Sequence, residues 1–220
     1  MSRTLDAAYD HAFSFWRLLA ETNVSFGRSK ALVNTAAPII LSNALWYPEP
    51  ESIADMGDFY REQGVLPSCF LSSALDDKLL QALALTNVGL SRTAQYGFNP
   101  VAASQPSDVS VEQVGWTQAR TLGEVIAAAH DSPYAVAVGQ TLALALQLEG
   151  ALTAFIAYDG PPVGAMVTLT TAESTAFVLE TLSESADAAL RARLASEAQT
   201  RGKAAFVFEQ TATGDLELWG

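Results

Sequence analysis

The chain has little cysteine, little histidine and little positive charge, and each shortage closes off a class of function. The single cysteine, Cys69, has no partner for an intramolecular disulfide, so a disulfide-framed secreted fold is excluded and a reducing cytoplasm is the expected setting. The two histidines, His11 and His130, lie far apart in the sequence, and no spacing of His, Cys or carboxylates reads as a metal centre. Twelve Lys and Arg against twenty-four Asp and Glu give a formal charge of −12 and a pI near 4.4. Such a field repels polyanions, so nucleic acid is not an expected partner. The most apolar region, 134–158, is broken by Gln140, Gln147, Glu149 and Gly150, which reads as a helix followed by a strand rather than a membrane span. The opening MSRTLDAAYDHAF carries acids where an export signal needs an apolar core. No Ser-His-Asp order and no glycine-rich phosphate loop is present.

What remains is a chain of 220 residues, half of them hydrophobic, enough for one large domain or two small ones. Apolar residues at Leu5, Ala8, Ala12, Phe15, Trp16 and Leu19 recur at helical spacing and predict a first helix over 5–19. VSFGRSK reads as a loop, AAPIILSNALWY from Ala36 as a buried strand, and ESIADMGDFYREQG as a helix stopped by Gly64. PSCFLSS, DDKLLQALALTNVG and SRTAQYGF then read as strand, helix and strand. The small and polar VAASQPSDVS, 101–110, is a linker by composition. It divides the chain into an N-terminal unit, 1–100, and a C-terminal unit, 111–220.

Beyond the linker, VSVEQV reads as a strand, TQARTLGEVIAAAH as a helix with Leu122, Val125, Ile126 and Ala129 inward, and YAVAVGQTLALALQLE as a second helix. ALTAFIAYDGPPVGAMVTLTT reads as a hairpin turning at Asp159, Gly160 and Pro161. STAFVLETL is a strand, SADAALRARLASEAQTRG a helix closed by Gly202, and KAAFVFEQ a buried strand.

This order, and above all AFIAYDGPPVGAMVTL with its aromatic strand, turn and Val-Gly strand, resembles the GNAT acyltransferase superfamily over 109–220. The resemblance implies an α/β fold, a mixed sheet flanked by helices. Residues 31–98, laid beside it, read as a degenerate half-unit of the same kind. In this comparison PSCFLSSALDDKLLQALALTNVGL aligns with AAFVFEQTATGDLELWG, each a strand, a loop and an acid-started helix. The family continues with a helix and two strands, whereas this sequence ends at TATGDLELWG. A homodimer covering a bare sheet edge is the assembly such a truncation suggests.

The resemblance also points to LETLSESADAALRARL as the acetyl-CoA site. In the family, the strand before the main helix offers backbone groups to pantetheine, and a loop of pattern Arg/Gln-x-x-Gly-x-Gly/Ala wraps the pyrophosphate with amides at a helix N-terminus. Carried onto this chain, the pattern falls on Ala186, Ala189 and Arg191, with Asp187 following the first position. Thr181 and Leu182 would face pantetheine, and Ala188, Ala189 and Arg191 the phosphates. Glu180 and Glu209, on neighbouring strands, are the candidate bases, and the family's acid Tyr falls on Trp219.

Read from the residues alone, the junction is a self-capped helix: Ser183 or Ser185 is an N-cap, and Glu184 and Asp187 suit a first turn. Two functions stay open. One is an N-acetyltransferase-like enzyme with an atypical phosphate loop, acting on a small-molecule amine or a protein. The other is a non-catalytic relative that binds or assembles through the same cleft. His11 and His130 read as surface or capping residues. Cys69 reads as a buried small residue, and Phe13, Phe15, Trp16, Trp46, Tyr47, Phe59 and Tyr60 as core or interface.

Overall fold

The computed structural model describes residues 5–37, 40–66, 68–72, 77–85, 90–101 and 108–219. Most of the linker segment, 102–107, lies outside the described residues. The chain forms two compact units, Met1–Gly97 with Gln210–Gly220, and Phe98–Glu209. Each is α/β and built on a mixed sheet. No described helix is long and apolar enough to cross a membrane.

The first unit begins with α1 (Leu5–Trp16) and a 3-10 turn, Arg17–Leu19, as the periodicity of Ala8, Ala12, Phe15, Trp16 and Leu19 requires; all five are buried. The expected loop at 24–30 is instead a hairpin of β1 (Thr22–Phe26) and β2 (Ser29–Val33), closed at Gly27, whose φ is +62°. The polar, exposed Thr22, Asn23 and Ser25 of β1 conceal a strand that is held by its ladder to the buried β2. The strand expected over 36–47 shrinks to β3 (Leu45–Trp46), preceded by a 3-10 turn at Ile40–Asn43. Buried Asn side chains divert the backbone there: Asn43 Oδ1 accepts from Asn34 N, and Asn34 Nδ2 donates to Leu19 O, both at 2.7 Å.

Next come α2 (Ile53–Glu62), β4 (Cys69–Ser72), α3 (Asp77–Leu85) and β5 (Arg92–Pro100). Gly64, at φ +69°, follows α2 as the helix-stop reading expects. The chain's last strand, β11 (Leu216–Trp219), lies antiparallel between β4 and β5. The helix expected from its alignment with the N-terminal segment is therefore corrected. Leu216 and Leu218 alternate inward at strand period, and the buried Glu217 is held by Arg92 at 3.2 Å and Gln95 at 3.3 Å. Trp219, onto which the resemblance places an acid Tyr, is thus a strand residue rather than a helix residue.

In the second unit, β6 (Ser110–Val114), β7 (Leu152–Tyr158), β8 (Pro162–Thr170) and β9 (Ser174–Thr181) form an antiparallel run, and β10 (Ala205–Gln210) joins β9 in parallel. The helix α6 (Glu184–Thr200) follows β9 and ends at Arg201, before Gly202 with φ +63°. Ala186, Leu190, Leu194 and Ala198 form a single stripe at intervals of four and pack on Phe155, Ala157, Met166 and Val207.

The helices α4 (Ala119–Ala129) and α5 (Ala135–Leu148) meet through glycine. Leu122 and Val125 of α4 are buried as expected; Ile126 and Ala129 are only half-buried, and Ala127 turns inward instead. A Cβ on Gly123 would lie 2.3 Å from Ala135 O and 2.8 Å from Gly139 Cα. Overpacking of this kind costs ~1–3 kcal/mol, more than the roughly 1 kcal/mol that alanine gains over glycine in a helix. Gly123→Ala is therefore expected to lower stability in chemical denaturation. Gly150→Ala, with nothing within 4 Å of its Cβ, is expected to show no comparable loss.

Candidate functional site

The site is built where β9 feeds α6. β9 pairs with β8 along its length, from Thr170↔Ser174 to Gly164↔Thr181, with one irregularity between Val167 and Thr168 where Phe177 is the extra residue. Its parallel register with β10 covers only Ala205↔Ser174, Phe206↔Thr175 and Val207↔Ala176. Beyond that the two strands continue without a shared register, β9 to Thr181 and β10 to Gln210. Leu182 N donates to Val163 O at 2.8 Å. Backbone groups alternate sides along a strand, so Leu179 and Thr181 turn theirs away from β8, toward the side where β10 has parted. Thr181 thus turns its backbone groups away from β8, whereas the Leu182 N–H is committed to β8.

Ser183 is the N-cap of α6: its Oγ accepts from Ala186 N at 3.3 Å, while Asp187 N donates to Ser183 O at 3.2 Å. The self-capped reading of this junction holds. The residues aligned with the phosphate loop form the first two turns of the helix. Ala188 is exposed, but like Ala189 it lies past the point where helical hydrogen bonds take up the amides; the Ala189 side chain is buried at 5 % exposure. Neither offers the free loop amide that the alignment assigns to it. The earlier N–H groups, of Glu184 and Ser185, precede the first helical bond. A Cβ on Gly164 would meet Leu190 Cδ1 at 2.9 Å and Ala186 Cβ at 3.3 Å, so a long side chain at 186 has no room on this face.

Arg191 ties the site together. Its Nε donates to Asp187 Oδ2 at 2.8 Å and its Nη2 to Glu209 Oε2 at 2.7 Å, while Asn99 Nδ2 donates to Glu209 Oε1 at 2.7 Å. Burial by itself raises the Glu209 pKa, but the hydrogen bonds from Arg191 and Asn99 and the Arg191 charge outweigh it and hold the carboxyl below its usual range. Burial likewise works against the Arg191 charge, and its two carboxylate partners reverse that effect. A carboxylate with a lowered pKa and a donor on each oxygen is a poor general base. Arg193 lies apart from this group, 5.3 Å over the Phe155 ring, with Nη2 2.7 Å from Glu197.

Glu180, near the end of β9, is placed differently. Its Oε1 lies 3.0 Å from His130 Nε2, and both side chains reach solvent. His130 is the C-cap of α4, as its capping role suggests, but its pairing with Glu180 was not legible in the sequence. Only the fold joins two residues so far apart in the chain. Cys69 is buried in the first unit, its thiol pushed up to about 12 by burial, and takes no part here. Among the described residues no three His, Cys, Asp or Glu side chains converge as a metal site.

A depressed Glu209 pKa stabilises the fold above the unfolded value, ~4.3, and that stabilisation is lost as pH falls through the lower folded value. Glu209→Gln is therefore expected to cost about 1 kcal/mol at neutral pH, given its partial exposure. The gap to the parent chain should narrow below roughly pH 4, as read from urea denaturation across a pH series.

No protein-family model matches this chain, and no curated protein matches it in sequence. Solved structures do match. A GCN5-related N-acetyltransferase from Kribbella flavida is similar with a TM-score of 0.65 at 12% identity, over 97% of this chain and 95% of its own. A functionally unknown conserved protein from Staphylococcus epidermidis gives 0.66 at 13% identity, over 94% and 95%. An Enterococcus faecalis protein described as a probable N-acyltransferase gives 0.52 at 14%, over 80% of this chain and 53% of its own. With β9, α6 and β10 arranged as above, these likenesses establish that the chain has the fold of the GCN5-related N-acetyltransferases.

Proposed function

We propose that the second unit is an acyl-CoA-dependent N-acyltransferase, acetyl-CoA being the donor, with an atypical hold on the coenzyme's phosphates. The observation that carries this reading is the parting of β9 from β10, which leaves the backbone of Leu179 and Thr181 turned to an open side. An extended pantetheine arm can pair with such a backbone as an added strand does. Acetyl-CoA would supply an activated acyl thioester. The N–H group of Glu184 and the guanidinium of Arg191 are the groups that would meet its phosphates.

Proton transfer falls to Glu180. Its carboxylate accepts a proton from the attacking amine, and His130, 3.0 Å away, orients it. Glu209, saturated by Arg191 and Asn99, is assigned a structural part: it aims Arg191. The acceptor is an amine, either of a small molecule or of a protein. The free buried thiol of Cys69 suits a reducing, cytoplasmic setting.

A second reading, a non-catalytic protein that binds through the same cleft, is favoured by one feature. Arg191 is already held by two carboxylates, Asp187 and Glu209, and Glu184 adds a further negative charge in the first turn of α6. The coenzyme must compete with them.

The two readings separate by calorimetry with acetyl-CoA and by single-turnover assays with an amine panel. The transferase reading expects saturable binding. Asp187→Asn should tighten it several-fold, by about 1 kcal/mol, through removal of a competing charge. Arg191→Ala should weaken it, and Glu180→Gln should leave binding intact while abolishing transfer. No heat of binding at millimolar acetyl-CoA would leave the non-catalytic reading standing.

A further inference from the structure

The first unit contains a cavity of about 510 Å³ that the transferase reading does not use, within the size range of small-molecule sites. Its walls carry three carboxylates, Asp6, Asp10 and Glu49, against one guanidinium, Arg28. Two rings, Tyr9 and Tyr47, and the apolar Leu71 and Leu79 complete the lining on which the argument rests.

The wall is held rigidly. Tyr9 donates to Phe70 O and accepts from Tyr47 N at 2.9 Å; Tyr47 donates to Asp10 Oδ1 at 2.7 Å. The Tyr9 ring stacks on Phe70 at 5.8 Å and meets Tyr47 edge-on at 4.9 Å. Tyr47 does this from φ +52°, in the left-handed region that a tyrosine enters only at a cost in strain. Glu49 is pinned by Arg28 N at 3.0 Å. Asp6 has no polar side-chain partner among the described residues, and Asp10 keeps its second oxygen open.

These features select a ligand by chemistry. The surplus of carboxylates favours a cation. The acids do not converge as a metal site, so the charge must come on an extended molecule. The half-buried Tyr47 ring and the leucines suit an apolar or aromatic body beside that charge. We propose that this cavity binds a protonated primary amine carrying an apolar or aromatic body. The inference is independent of the transferase reading, because every residue it uses lies in the first unit.

The test is isothermal calorimetry on the full chain with phenethylammonium, against 3-phenylpropionate and N-acetylphenethylamine as anionic and neutral analogues of similar shape. Saturable binding of the cation is expected, with both analogues at least about tenfold weaker. Asp6→Asn combined with Asp10→Asn should weaken the cation by about tenfold or more, while Glu112→Gln in β6 leaves it unchanged. Asp6→Asn alone, at an exposed position, guards against a folding defect and should weaken binding in the same direction. Equal binding of anion or neutral analogue, survival of cation binding in the Asp variants, or no saturable binding at millimolar amine would each overturn the proposal.

Discussion

The close seating of α6 on β8 is the constraint from which the rest of the second unit follows. At Gly164 an added Cβ would crowd Leu190 Cδ1 at 2.9 Å and Ala186 Cβ at 3.3 Å. The helix can approach this far only because small residues face each other, and the approach fixes where its first turn starts and in which direction it points. Ser183 then caps the helix directly after the strand, without an intervening loop. With the helix axis set, Asp187 and Arg191 stand one turn apart, and Arg191 reaches Glu209 on β10. A longer side chain at 186 would have to displace the helix, and the reach of Arg191 would go with it.

The junction therefore satisfies itself. A helix N-terminus attracts anions through unpaired amides and its partial positive charge. Here a serine hydroxyl takes one amide, and Glu184 and Asp187 supply the negative charge that the terminus attracts. What the junction leaves open is the strand backbone, and that depends on topology. Two parallel strands that lose register after Ala176 and Val207 leave one edge of β9 turned outward, whatever side chains they carry.

What was legible in the sequence was local. The first helix, the stops at Gly64 and Gly202, the hairpin at Asp159–Pro161 and the Ser183 cap all depend on residues within a turn of one another. What was not legible depended on partners far along the chain. β1 is short, with three polar exposed residues around Val24 and Phe26, too brief a pattern to separate it from a loop; it is a strand because β2 pairs with it. The stretch 36–47 is apolar enough to read as a strand, but the buried Asn34 and Asn43 side chains take the backbone bonds that a ladder would need. β11 was hidden by its brevity and by the Gly-Asp before it. It is secured by Glu217, whose buried charge is tolerable only with Arg92 and Gln95 alongside.

The two candidate bases show the same division. By sequence, Glu180 and Glu209 are equivalent acids near the ends of adjacent strands. Their environments separate them: Glu209 receives donors on both oxygens from groups fixed by α6 and β5, whereas Glu180 meets one imidazole and is partly exposed. A carboxylate whose ionised form is strongly held gives up basicity in proportion, so the better-organised residue is the worse proton acceptor. The looser pair is Glu180 with His130, and the tighter network of Arg191, Asn99 and Glu209 belongs to the scaffold around it.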